Sequence, residues 1–230
     1  MGGAVMKKKY LLVMAAGILT AVAMAGGTIV ASNVKGREAA TADIRIRSVG
    51  VTIYEDQDPF GGKDGSEKAV VPGTEYKLPK KVVNTVTDGY DAYVKVVLYK
   101  EWEKDGETLY PETGEADILY IQDAAGKKTD LAMARQNEVV NDWIVQYADS
   151  EQIILYYTRP VKPGQATTEF LSGIAFGKAM GKDYADAEYR LEYQVTAVQA
   201  NHARDAIAAE FGVFAAIGED GTITAISEKR

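Results

Sequence analysis

Tyr189-Arg190-Leu191-Glu192-Tyr193-Gln194-Val195-Thr196-Ala197-Val198-Gln199 alternates well. Tyr189, Leu191, Tyr193, Val195 and Ala197 share one parity; Arg190, Glu192, Gln194 and Thr196 share the other. Side chains of a strand point to opposite faces in turn, so this is a long antiparallel strand with one dry side. Residues 93–99 (YVKVVLY) repeat the pattern, with Val94, Val96 and Leu98 facing a core and Lys95 opposite. Shorter apolar runs fill the space between them: 118–121, 143–147, 153–157 and 170–176. Turns at 71–74, 149–151 and 160–164 separate the runs. Residues 76–84 read as an edge strand, because Pro79 cannot donate to a ladder. Residues 129–140 carry a modest helical spacing in Leu131, Ala134 and Glu138. Asn201 is placed to cap a helix running to Phe211, with Gly212 as its stop. Residues 213–226 read as a hairpin around Gly218-Glu219-Asp220-Gly221. Many short strands with few short helices predict an all-β antiparallel sandwich over residues 48–200. A helix and a hairpin over 201–230 follow it.

The other end of the chain has a different grammar. Lys7-Lys8-Lys9 is basic, residues 10–25 are apolar apart from Gly17 and Thr20, and small residues follow to Ala31-Ser32. This is the order of an export signal. The apolar part is shorter than the roughly 20 residues a spanning helix needs, so removal is expected rather than anchorage. Two cuts fit: after the A-x-A triplet ending at Ala25, or between Ala31 and Ser32. Residues 32–47 then form an extended arm. Asp43-Ile44-Arg45-Ile46-Arg47 alternates, and the parity slips at Ser48, which predicts a bulge or break. That segment is a first strand of the sheet, or one able to pair with a neighbouring molecule.

Composition narrows the chemistry. The net charge is −7, and loss of the three leader lysines takes it to −10. Such acidity disfavours nucleic acid and anionic membranes as partners; membrane contact is expected only through the uncleaved leader. No cysteine is present, which excludes disulfides, thiol catalysis and cysteine-ligated metals. One histidine, His202, cannot supply the usual zinc set, and H-E-x-x-H is missing. His202 reads as a solvated residue at a helix start. Residues 56–67 partly imitate a calcium loop through Asp56, Asp58, Gly61, Asp64 and Glu67. Phe60 stands where an oxygen ligand belongs, Pro59 intrudes and the flanks are not helical, so a solvated turn is expected. No cofactor and no metal site is expected, and no catalytic residue stands out. Tyr93, Trp143, Tyr156 and Tyr157 read as packing, Pro163-Gly164 as a turn, and Asn84 as a residue satisfying backbone groups.

Three groups of residues, in order, resemble a known family. They are Met6-Lys7-Lys8-Lys9, Gly26-Gly27-Thr28 and Val30-Ala31-Ser32-Asn33; Pro72-Gly73, Lys77, Val82-Val83-Asn84 and Asp91-Ala92-Tyr93-Val94-Lys95-Val96; and Asn141-Asp142-Trp143, Tyr156-Tyr157, Pro163-Gly164-Gln165-Ala166-Thr167-Thr168 and Val195-Thr196-Ala197-Val198-Gln199-Ala200. The sequence resembles the TasA/camelysin proteins of Gram-positive bacteria, from the leader to about Ala200. The resemblance implies a jelly-roll form of the sandwich, export through the signal peptidase SipW, and cleavage after Ala31. It also implies an extracellular-matrix or cell-surface location and assembly into biofilm fibres with other copies or related subunits. In that scheme the freed arm adds a strand to the next subunit, with Ile44 and Ile46 as its buried positions. Ser32 stands where the family has an aromatic residue, and the chain continues beyond Ala200. The competing readings are a secreted adhesin or binding module, and a camelysin-like metallopeptidase.

Overall fold

The computed structural model describes residues 22–23, 28–31, 51–55, 72–110, 116–178, 180, 184 and 187–229. Its strands are β1 (Val22–Ala23), β2 (Thr28–Ala31), β3 (Val51–Glu55), β4 (Glu75–Asn84), β5 (Ala92–Lys104), β6 (Glu107–Leu109), β7 (Asp117–Gln122) and β8 (Lys128–Asp130). They continue with β9 (Glu138–Val140), β10 (Trp143–Ala148), β11 (Gln152–Tyr157), β12 (Leu171–Phe176), β13 (Glu188–Gln199), β14 (Val213–Ile217) and β15 (Ile223–Glu228). The helix α1 (Ala203–Glu210) lies between β13 and β14.

The long alternating stretch becomes β13, which pairs along all twelve of its residues with β5. That pair is the spine of an eight-stranded sheet ordered β1-β2-β13-β5-β11-β10-β9, with β6 on the end of β5. The facing sheet has five strands ordered β3-β4-β12-β7-β8. Every pairing is antiparallel, so the protein is an all-β antiparallel sandwich. In chain order β2, β4, β5, β7, β8, β11, β12 and β13 interleave between the sheets. The first lies beside the last, the last beside the third and the third beside the sixth. Opposite them the second lies beside the seventh, the seventh beside the fourth and the fourth beside the fifth. This is the double Greek-key wrapping of a jelly roll.

Val94, Val96, Leu98 and Trp102 of β5 meet Leu119 and Ile121 of β7 and Leu171, Ile174 and Phe176 of β12 between the sheets. Trp102 is ringed by Tyr189 (4.8 Å between centroids), Tyr184 (5.1 Å) and Phe176 (5.8 Å). Trp143, Tyr157 and Phe170 form a second aromatic group. A separate core lies on the outer face of the large sheet, where Ile207, Phe211, Val213, Ile223 and Ile226 from α1 and the β14–β15 hairpin cover Tyr93, Ile144, Tyr156 and Val198. The strands of this region are therefore dry on both faces, which explains why 93–99 is nearly continuous in apolar residues.

Three expectations need correction. Residues 129–140 are not helical. Asp130 ends β8, its carboxylate accepts the Ala132 N–H, and Asn137 takes a left-handed φ of 64° before β9. The helical spacing was coincidental: Leu131 is fully buried on an irregular segment. β4 is not an edge strand, since β3 and β12 flank it. Pro79 is tolerated because the β12 register shifts between the Leu171–Lys80 and Gly173–Lys77 pairs, leaving it within the irregularity. Asn201 does not cap α1; the capping position is His202, left-handed at φ 56°, with no side-chain cap bond. Gly212 does follow the helix at a left-handed φ of 73°. The tail hairpin forms as expected, and Tyr93 ties it down by donating its hydroxyl to the Gly221 carbonyl at 2.6 Å. Asn84 behaves as its type suggests, donating from Nδ2 to the carbonyls of Tyr90 and Val161 at 3.0 Å each.

Candidate functional site

Three places on the molecule combine geometry with chemistry: a sheet edge, a groove and a buried charge pair. The edge is that of β13. β2 runs antiparallel along it, with Ala31 opposite Val195, Val30 opposite Thr196 and Ile29 opposite Ala197. β1 then folds back on β2. Both strands belong to the stretch that reads as a leader. β2 fills the first-strand position of the jelly roll, so the body completes its fold with residues that end at the expected cut. Ala31 is the last residue of β2. Ser32, Ile44 and Ile46 lie outside the described residues, as do the Ser48 slip and the acidic loop 56–67. Without β2, β13 presents unpaired backbone groups along that side, the ordinary invitation to strand addition. Lys80 is buried on the interior face nearby, with its Nζ 5.7 Å from the centre of the Tyr193 ring.

The groove lies on the outer face of the large sheet, past the end of the area covered by the tail. It encloses about 640 Å³, and its lining includes Tyr99, Glu101, Thr108, Tyr110, Arg190 and Glu192. Tyr110 is well exposed, and Thr108 Oγ1 donates to Glu101 at 3.2 Å. Arg190 is held by Glu188 at 2.9 Å and by Glu103 at 3.3 Å. Burial pushes the Tyr99 hydroxyl above its ordinary pKa, and that hydroxyl lies 3.2 Å from Gln194 Oε1. Aromatic rings beside carboxylates and one guanidinium suit a polar ligand with an apolar face.

The buried pair bridges the two sheets. Lys100 continues the inward parity of Val94, Val96 and Leu98, and Asp117 that of Leu119 and Ile121. Lys100 Nζ lies 2.9 Å from Asp117 Oδ2, with side chains only 3% and 1% exposed. Trp102 Nε1 donates to Asp117 Oδ1 at 3.0 Å, and the Tyr189 hydroxyl reaches Oδ2 at 3.4 Å. Burial pushes the Tyr189 hydroxyl well above its ordinary range, and the Asp117 charge adds to this. Asp130, on the neighbouring β8, has its carboxyl pushed up by burial and further by Asp117, against its backbone hydrogen bonds and Lys100. The parity of Lys100 was visible in the sequence, since position 100 follows 94, 96 and 98 onto the dry face. A lysine there needs a buried counter-charge.

His202 is exposed, as expected of a solvated residue. Among the described residues no group of three or more His, Cys, Asp or Glu side chains is placed to hold a metal. Among them, too, no helix is long and apolar enough to cross a membrane. No family model, curated protein or solved structure matches the chain.

Proposed function

We propose that the protein is an exported structural protein, a subunit or accessory subunit of extracellular matrix fibres that assembles by N-terminal strand donation. The observation that carries this reading is the placement of β2 on the β13 edge, with its last residue, Ala31, opposite Val195. A cut after Ala31 would separate that strand covalently from the body. One event would both release the arm 32–47 and open the slot that an arm can fill. An incoming strand alternating as Asp43-Ile44-Arg45-Ile46-Arg47 would bury Ile44 and Ile46 beside Tyr193, Val195 and Ala197 and leave its charges outside. Because the donated tip and the accepting edge are different surfaces, the contact is head-to-tail and grows a filament instead of closing a ring. The partners in this scheme are further copies or related subunits, with a SipW-type peptidase as the enzyme that licenses assembly. The resemblance to TasA/camelysin proteins points the same way.

The test is filament formation. Protein beginning at Ser32 is expected to form fibres visible by electron microscopy. Protein beginning after Arg47, and uncut protein, are expected to stay monomeric. Equal monomeric behaviour of all three across salt and pH would reject strand donation. The groove at Tyr99 and Tyr110 favours a second reading, a surface binding module, which that outcome would promote. The peptidase reading has no support in the arrangement of the described side chains; chelator-sensitive casein cleavage by the purified protein would restore it.

A further inference from the structure

We propose that Lys100 and Asp117 become joined by an intramolecular amide bond, formed by the protein itself, that rivets the eight-stranded sheet to the five-stranded one. The two side chains come from β5 and β7, in opposite sheets, and meet with Nζ 2.9 Å from Oδ2. Reaction between held groups gains its rate from such placement, because the encounter has already been made.

The reactive form lies one proton transfer away from this buried pair. Transfer of one proton along the hydrogen bond converts it to a neutral amine and a neutral carboxylic acid, with no net change in charge. A neutral amine has a free lone pair, and the nearest electrophile is the Asp117 carboxyl carbon. Trp102 Nε1–H, 3.0 Å from Oδ1, points at the oxygen that gains negative charge when nitrogen attacks. A fixed donor at that place is the arrangement that stabilises tetrahedral intermediates of acyl transfer. The departing oxygen is then Oδ2, on which the Tyr189 hydroxyl lies at 3.4 Å.

A proton must reach that oxygen. Asp130 lies close enough for the charges of both Lys100 and Asp117 to act on its carboxyl, and burial raises its pKa. A carboxyl in that neighbourhood can pass a proton to the leaving group and recover one from the new amide nitrogen. The step balances without an outside reagent. The Lys100 Nζ–Asp117 Cγ bond forms, the Cγ–Oδ2 bond breaks, and one water leaves carrying two of the protons first held by the pair. The product is a neutral amide whose remaining carbonyl oxygen stays on Trp102. A chain without cysteine would thereby gain a covalent tie between its layers.

Intact mass spectrometry of the purified, denatured protein tests this, with the N-terminus fixed by sequencing. The expected mass is lower than the sequence mass by one water. A digest should yield a branched peptide linking Lys100 to Asp117, with no tryptic cleavage after Lys100. Lys100→Arg keeps a cation beside Asp117 but has no primary amine, and should show its full sequence mass. Asp117→Asn should lose one ammonia and give the same branched peptide. Asp130→Asn should slow the loss while leaving the wild-type end point reachable. Dehydration at an Asp-Gly pair such as Asp105-Gly106 would also remove a water, so loss without the branched peptide counts against the proposal. A wild-type chain of full mass, cleaved normally after Lys100, overturns it.

Discussion

Replacing Gly173 with alanine should cost about 3 kcal/mol or more of folding stability. Gly173 sits mid-strand in β12, opposite Tyr120 of β7 on one side and Lys77 of β4 on the other. Its missing side chain lets the Tyr120 ring lie across the sheet. From there the Tyr120 hydroxyl reaches Glu75 at 2.7 Å, and Lys128 stands 4.8 Å from the ring centre while pairing with Glu75 at 2.5 Å. A Cβ on residue 173 would fall 2.6 Å from Tyr120 Cζ, inside contact distance of the hydroxyl, and 2.6 Å from the Tyr76 carbonyl oxygen. The ring can swing away only by giving up its hydrogen bond and cation contact, worth about 1 kcal/mol each. The carbonyl belongs to the β4 backbone and can yield only if the ladder distorts. Overpacking in a rigid setting typically costs about 1–3 kcal/mol before those losses are added. Urea unfolding followed by the fluorescence of Trp102 and Trp143 measures the change directly. Repeating the substitution in Tyr120→Ala separates the shares. The penalty should shrink but persist, because the clash with the β4 carbonyl remains. A wild-type-background cost below about 0.5 kcal/mol would show that the close approach of β12 to its neighbours is not as described.

Two further outcomes follow from the second core. Phe211 is 4% exposed, with its ring 5.7 Å from that of Tyr156, and Phe211→Ala should cost about 3–5 kcal/mol, read as a fall in the urea midpoint. A change within error would mean that the tail is not part of the cooperative unit. Burial raises the Tyr156 hydroxyl from 10.0 to about 12. The folded state therefore holds a proton that the unfolded state releases between these values, so this contribution to stability falls as pH rises through that window, by up to about 3 kcal/mol. Tyr156→Phe should flatten the alkaline limb of a stability-versus-pH curve; an unchanged slope would contradict the shift.

The strands that form the spine were legible because alternation is a strong signal where one face is dry, as in 189–199 and 93–99. The tail hairpin was legible through Gly218 and Gly221. The segment 129–140 was not, because the helical spacing of Leu131, Ala134 and Glu138 outweighed turn formers. Asn137 adopts left-handed backbone there, as Asn141 and Asp142 do just beyond it, and such residues tolerate that conformation better than most. Pro79 was read by a rule about ladders that holds for regular strands and fails at a bulge. The Lys100–Asp117 contact joins residues on different sheets, and no local pattern encodes which strands will face each other. Only the parity of each residue could be read beforehand.

The pairing of β13 with β5 also governs when the body can close. The third and last strands of the jelly roll are joined along all twelve residues of β13, yet β7 to β12 lie between them in the chain. Contacts so distant in sequence are slow to form, since a large loop must be ordered before any reward arrives. During synthesis, β5 emerges with an empty flank and waits until β13 has followed. The large sheet thus stays without its spine until β13 has been made.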